Sequence, residues 1–484
     1  MLGGGFLLAG GLSATVLPNL FPFLDPTGIL ATYNAGGAIK TDNNPFFENL
    51  GTNGRNCATC HIAGNAFGLS ATRVQEQFLL TRGRDPLFAA VDGANCPTST
   101  GNDPSAHSLL LKNGLIRIPL TLPAAPQFTI RVYRDPYGCA LVKDPNTGLL
   151  TVSVYRRPLP TTNLTFLSAI MWDGRESGAN PLNNPGSFSN NLLLDLKAQA
   201  VDATLTHAQA SVAPTDAQQT AIASFELGLF SSQVLDLKAG ALSADGASGG
   251  PAHLEQIGPD YYPGTNDSLG TDPHGNAFNS TVFTLFAPWA NARTLSPAVT
   301  QARRDIAAGE TLFNTRALTI TSVRGLNDNA ALGSPATIMG TCTTCHDTPN
   351  VGDHSLPLPL DISTGHDAAT EPDPLIANGL SQLSEPDLPV FEITGCPNPF
   401  PGSNGGVPYV IHTTDPGKAL ISGLCSDVNR VKGPILRGLS ARAPYFHNGA
   451  AHDLTELINF YNERFQMNLT NQEKRQLIAF LNSL

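Results

Sequence analysis

The chain has 484 residues, of which 41% are hydrophobic and only 14% charged, with 46 glycines and 38 prolines. That length accommodates two or three domains of ordinary size, and a mean hydropathy of -0.05 describes a soluble globular protein with many ordered loops. A formal net charge of -11 and a pI near 5.4 argue against nucleic acid as a partner. In chain order, Leu2 to Val16 is an apolar run of mostly small residues, followed by Pro18 and Pro22. It is too short and broken to span a membrane and reads as a secretory signal over residues 1–20, although no Lys or Arg precedes Lys40. A disordered apolar N-terminus is the alternative.

Phe46-Phe47-Glu48-Asn49-Leu50 leads into Cys57-Ala58-Thr59-Cys60-His61, and the same pattern returns as Cys342-Thr343-Thr344-Cys345-His346. Cys-x-x-Cys-His is the c-type haem attachment signature. Two thiols one turn apart form thioethers to the two vinyl groups of one porphyrin, and the adjacent histidine supplies a nitrogen to the iron. Four thiolates around one zinc ion are the rival reading, but zinc does not require a histidine after each pair. A thioredoxin-like motif needs neither the second copy nor the trailing histidine. Two covalent haems are therefore expected, one per motif, and attachment of this kind takes place outside the cytoplasm. The remaining cysteines, Cys96, Cys139, Cys396 and Cys425, then suggest two disulfides. Proximity favours Cys96–Cys139 and Cys396–Cys425 among the three pairings, with free buried thiols as the alternative.

Between the motifs, alternation around Arg131–Tyr133 and Thr151–Tyr155 predicts short β-hairpins. Thr215-x-x-Gln218 predicts a capped helix carrying Ile222, Phe225 and Leu229. Lys238 to Gly275 reads as a surface excursion. Ser296-Pro297 opens a helix with Ala302, Ile306, Gly309, Leu312 and Phe313 at helical spacing, similar to the first helix of a class I cytochrome c. Asp347 to Pro416 is a Pro-rich loop. Asp453-x-x-Glu456 and Thr470-x-x-Glu473 start two terminal helices, the first placing Tyr461 on its inner face. The expected fold is mainly α, with two cytochrome c-like haem domains at residues 30–290 and 296–484, long irregular loops and a few short β-hairpins.

Met171-Trp172-Asp173-Gly174-Arg175-Glu176, then Asp195-Leu196-Lys197-Ala198-Gln199-Ala200, together with Leu436-Arg437-Gly438 and Ala443-Pro444-Tyr445-Phe446-His447-Asn448-Gly449, resembles the bacterial dihaem cytochrome c peroxidase and MauG family. The resemblance covers roughly residues 46–484. It implies that Trp172 lies between the haems and assists electron passage, that His61 and His346 are the proximal ligands, and that His447 belongs to the cofactor site. It also implies that Tyr461 is the second ligand of the C-terminal haem, as in the MauG type, with Met467 as competitor. No distal histidine follows the first motif before His107, so the first haem is expected to be open; His107 itself reads as structural. The family's distal glutamate is missing, and His207 or Gln209 takes its place. His207 is the better acid–base group because histidine titrates near neutrality; a surface histidine is the alternative. Asn163 lies near the family's calcium-binding stretch, which raises a Ca2+ between the haems.

The resulting expectation is an exported protein of the periplasm or extracellular side that reduces hydrogen peroxide at the N-terminal haem. Electrons from a small soluble donor, such as a monohaem cytochrome c or a cupredoxin, would pass through the C-terminal haem. One alternative is MauG-like oxidation or oxygenation of a protein or organic substrate. Another is a dihaem electron carrier without chemistry of its own.

Overall fold

The computed structural model describes residues 16–99, 101–177, 188–371, 374–383, 385–397 and 409–484; residues 1–15, most of the expected signal, lie outside them. The longer helices are α1 (Ala71–Thr81), α2 (Phe188–Thr206), α3 (Asp216–Leu227), α4 (Pro297–Thr315), α5 (Leu454–Arg464) and α6 (Asn471–Asn482). The strands that frame the site are β1 (Gly28–Asn34), β2 (Ile116–Thr121), β3 (Thr129–Arg134), β4 (Leu150–Arg156), β5 (Leu229–Asp236), β6 (Val390–Cys396) and β7 (Tyr409–Thr413).

Helix starts follow local chemistry. The Ser296 hydroxyl accepts from the Val299 N–H, with Pro297 at the first helical position of α4. Thr215 with Gln218, and Thr470 with Glu473, close capping boxes on α3 and α6. Asp453 caps α5 by accepting from the Thr455 and Glu456 N–H groups, while Glu456 turns to His452 instead of closing a box.

The expectation of a mainly α fold is overturned. Among the described residues only 32% are helical and 17% are strand, and the strands form five small sheets. The alternating segments are strands: the second closes a hairpin with the strand just before it, whereas the first finds its partner far away in the sequence. β4 pairs with β2 and with Leu141–Lys143, β3 pairs with β6, and β1 pairs with β5. Alternation reveals that a segment is a strand, whereas a partner more than a hundred residues away leaves no turn signal to read. Because β3 and β6 come from opposite halves of the chain, one sheet spans the division expected near residue 290. The segment from Lys238 to Gly275 is not a mere surface excursion either: Ala239, Leu242 and Leu254 are fully buried, and Pro251–Ile257 is helical. Small residues there admit close packing that composition alone suggests is loop.

Cys96–Cys139 and Cys396–Cys425 are disulfide-bonded, and the four motif cysteines are free. The largest hydrophobic cluster packs α4, α5 and α6 together with Phe283, Phe286, Trp289, Phe313 and Phe480. Helices α4 and α6 approach so closely at Gly309 that a Cβ there would lie 2.0 Å from the Gln476 carbonyl oxygen. Gly309→Ala is therefore expected to destabilise the protein by about 1–3 kcal/mol through overpacking, read as a lower urea midpoint at unchanged slope. An unchanged midpoint would show that the two helices separate without cost.

Candidate active site

The two Cys-x-x-Cys-His segments adopt one local structure twice. Each is a single 3-10 turn, Cys57–Thr59 and Cys342–Thr344, entered from extended backbone (Asn56 φ -129, ψ 176; Thr341 φ -132, ψ 177). The threonine hydroxyls accept from the Asn56 and Thr341 N–H groups at 3.1 and 3.0 Å. The His61 and His346 N–H groups donate to the Cys57 and Cys342 carbonyls at 3.0 and 3.1 Å. Each imidazole donates its Nδ1–H to a carbonyl, His61 to Phe67 at 3.1 Å and His346 to Gly352 at 2.6 Å. That bond fixes the tautomer and leaves Nε2 as the basic nitrogen. Burial pushes His61 down to about 4 and lowers His346 as well, so both rings are neutral donors. Burial also pushes the Cys60, Cys342 and Cys345 thiols up to about 12. The two thiol pairs line different cavities, so they do not form one four-thiolate zinc site.

The first cavity holds about 1280 Å³ of non-atom space including its mouth, and the second about 1560 Å³. Trp172 and the run Arg157-Pro158-Leu159 line both and form their shared wall. The Trp172 indole N–H donates to the Arg157 carbonyl at 2.8 Å, and the Trp172 carbonyl accepts from the Lys432 N–H at 2.7 Å. Beneath the wall lies a buried ion network. Arg156 pairs with both oxygens of Asp415 (2.6 and 2.9 Å) and with Asp173 (2.5 Å), and Asp173 also pairs with Arg175 at 3.1 Å.

The donor set fits haem c. Each cavity is mainly apolar, with a thiol pair and an imidazole at one side. Its wall carries buried cations that hydrogen-bond to carbonyls rather than to carboxylates. Arg157 donates to Asn113, Leu69 and Arg442 carbonyls (2.9, 2.5 and 2.6 Å), and Arg442 to those of Arg437 and Ile435 (3.3 and 2.6 Å). Burial pushes Arg157 down to about 9 and Arg442 to about 10. Uncompensated buried charge is costly, and carboxylates on a tetrapyrrole would neutralise it.

In the first cavity, His207 stands just beyond the C-terminus of α2. Its Nδ1–H donates to Asp92, which also receives the Arg55 guanidinium. Burial alone would raise the Asp92 carboxyl; the His207 hydrogen bond and the Arg55 charge hold it below the usual range. The segment before the motif grips this corner, since the Thr52 N–H donates to the Ala208 carbonyl and the Asn53 amide to the His207 carbonyl. Gln209 is not among the cavity-lining residues. Its side chain accepts from Asn53 at 3.3 Å on the exposed side.

The second cavity gathers His346, His447, Tyr461 and Met467. His447 packs edge-on against Trp172 at 6.1 Å, with Nε2 3.6 Å from Asp415, and burial pushes it down to about 4. Tyr461 lies among Phe446, Phe460 and Phe465, and burial raises its phenol. Asn163 is occupied elsewhere: its amide exchanges two hydrogen bonds with the Ser231 backbone of β5 (2.9 and 3.0 Å). His107 is buried between Phe78 and Phe88, its nitrogens facing the Gly93 and Gly101 carbonyls. Sequence reasoning missed Asp92, which no local pattern marks. It also missed Glu226, which lines the first cavity and stands four residues after Ile222 on the apolar face of α3, a placement that was readable.

No family model matches the chain. A cytochrome-c peroxidase, IdrP2 of Denitromonas iodatirespirans, is 37% identical over 90 residues, which is 17% of this chain and 24% of that protein. The match supports a cytochrome c peroxidase-like relationship. The chain spans about a quarter of that protein's length. Its intact mass should exceed the polypeptide by two haem groups, and Cys60→Ala and Cys345→Ala should each weaken attachment at one motif. One haem, or zinc by elemental analysis, would contradict this.

Proposed function

We propose that the chain is an exported dihaem oxidoreductase that reduces hydrogen peroxide in the Cys57–His61 cavity, with electrons entering on the side of the Cys342–His346 cavity and crossing at Trp172. The observation that carries this reading is asymmetry. The two cavities repeat one attachment turn and share one wall, yet the second is lined by Tyr461, His354 and His447 besides His346, while the first, among the described residues, is lined by no tyrosine and by one histidine besides His61, the Asp92-held His207 at its edge. Haem c, when bound, supplies the one-electron redox change that no side chain here provides. With Nδ1–H committed to Asp92, the His207 Nε2 is free to take a proton from one peroxide oxygen and hold it for a later step. Asp92 orients the ring and stabilises its protonated form. The donor would be a small cytochrome c or cupredoxin, and the chain's acidity favours one with a basic face. Two disulfides favour an oxidising compartment.

His207→Ala should slow the reaction with peroxide by about a hundredfold or more while leaving the haem spectra nearly unchanged, and Asp92→Asn should lose less. An unchanged His207→Ala rate would remove this group from the mechanism. A high-spin ferric signal in the isolated protein supports an open first site; two low-spin signals without ligand binding would favour an electron carrier.

Tyr461 on the wall of the second cavity favours a second reading, MauG-like oxidation of a protein or organic substrate. A phenolate is a hard anionic donor that favours ferric iron. Tyr461→Phe should then change the low-spin spectrum and Met467→Leu should not. The opposite pattern would make Met467 the ligand and return the protein to ordinary peroxidase chemistry.

A further inference from the structure

Glu226 is a group the chemistry above leaves unused. It sits in the last turn of α3, is 2% exposed, and lines the first cavity. Its Oε2 is buried without a hydrogen-bond partner, and no ion pair reaches the carboxyl from any described residue. The charged or titratable groups around the same cavity are Glu48, Arg55, Arg157, Arg175 and His207, besides the haem-motif residues themselves. Arg55 is committed to Asp92 and neighbouring carbonyls, Arg175 to Asp173, Arg157 to carbonyls, and His207 to Asp92. Glu226 also stands close enough to Cys57 to disfavour its thiolate. A buried carboxylate with neither cation nor donor is strongly disfavoured, so the neutral acid is the stable form. Burial accordingly pushes this carboxyl up to about 8. A buried acid with no structural bond to make is a costly choice for a core position, where an apolar residue would pack better.

We propose that Glu226 is the neutral acid of the Cys57–His61 cavity and gives its proton to the departing oxygen of the peroxide, a role that rests on the peroxidase reading and is separate from that of His207. Reduction of hydrogen peroxide to two waters breaks the O–O bond and takes up two electrons and two protons. The electrons come from the external one-electron donor proteins. His207 takes the proton from the oxygen that stays behind and gives it back as that oxygen is reduced to the second water. Glu226 supplies one of the two protons taken up, becomes a carboxylate, and is reprotonated from water; the other is drawn from solvent. The acid that the sequence lacks after Gln199-Ala200 is thus provided by a different helix.

The test uses the haem-loaded protein and its Glu226→Gln variant, with haem content checked by mass. Infrared spectra between pH 6 and 9 should show a protonated carboxyl band in the parent that fades near pH 8 and is missing from the variant. Thermal unfolding gives a second readout. Unfolded Glu226 ionises near its ordinary 4.5 but the folded group only near 8, so the parent should lose stability relative to the variant as pH rises between those values, and no further above them. Stopped-flow mixing with peroxide should be at least tenfold slower in the variant at pH 6, and the parent's rate should fall through pH 8 while the variant's lacks that step. A variant that keeps both the band and the pH-dependent stability loss, or that keeps the parent's rate and profile, overturns the proposal and leaves the peroxidase reading standing. A parent protein that does not react with peroxide overturns the peroxidase reading itself, and this proposal with it.

Discussion

The site depends on the buried charge of Arg156. It is fully enclosed and paired with two aspartates, one from the Trp172 loop and one from the segment after β7. Removing either aspartate would leave charge uncompensated in the interior, where that costs several kcal/mol. The network therefore holds three pieces of chain in register: the end of β4, the loop carrying Trp172, and the turn at Asp415. The wall between the cavities is built on this clamp. Arg157, Pro158 and Leu159 follow Arg156 directly, and Trp172 precedes Asp173. His447 packs edge-on against the indole from the second cavity, with its Nε2 3.6 Å from the same Asp415.

Around that wall the protein repeats one turn and varies what faces it. The turns match because their hydrogen bonds are local, each joining residues no more than six apart: a threonine hydroxyl, a backbone carbonyl, and a histidine whose far nitrogen is steered by a carbonyl six residues on. What differs is supplied from elsewhere. The first cavity receives an Asp–His pair and a lone buried carboxyl from α3. The second receives a phenol, a thioether and an imidazole from the C-terminal region. On the function proposed above, the first would move protons and the second would admit electrons.

Much of the site was readable from sequence. The motif spacing named both thiol pairs and both imidazoles. The caps at Ser296, Thr215 and Thr470 started their helices as expected, and the nearest cysteines paired. Gln209, by contrast, was a candidate because of its place along the chain, and it turns outward to Asn53 because α2 ends at Thr206 and Gln209 itself adopts φ 54. The β content was underestimated because β3 and β6 find each other across the whole molecule.

The sequence by itself determined what neighbouring residues decide among themselves: the attachment turns, the helix caps and the inward face of α5. These rest on hydrogen bonds and periodicity spanning a few residues, and such contacts form wherever the segment goes. Only the tertiary structure decided which groups share a cavity. Asp92 meets His207 across 115 residues and Arg156 meets Asp415 across 259. Glu226 acquires its character from what surrounds it, since a carboxyl's affinity for its proton depends on the solvent and charges it has lost, and these follow from the path of the chain rather than from its local order.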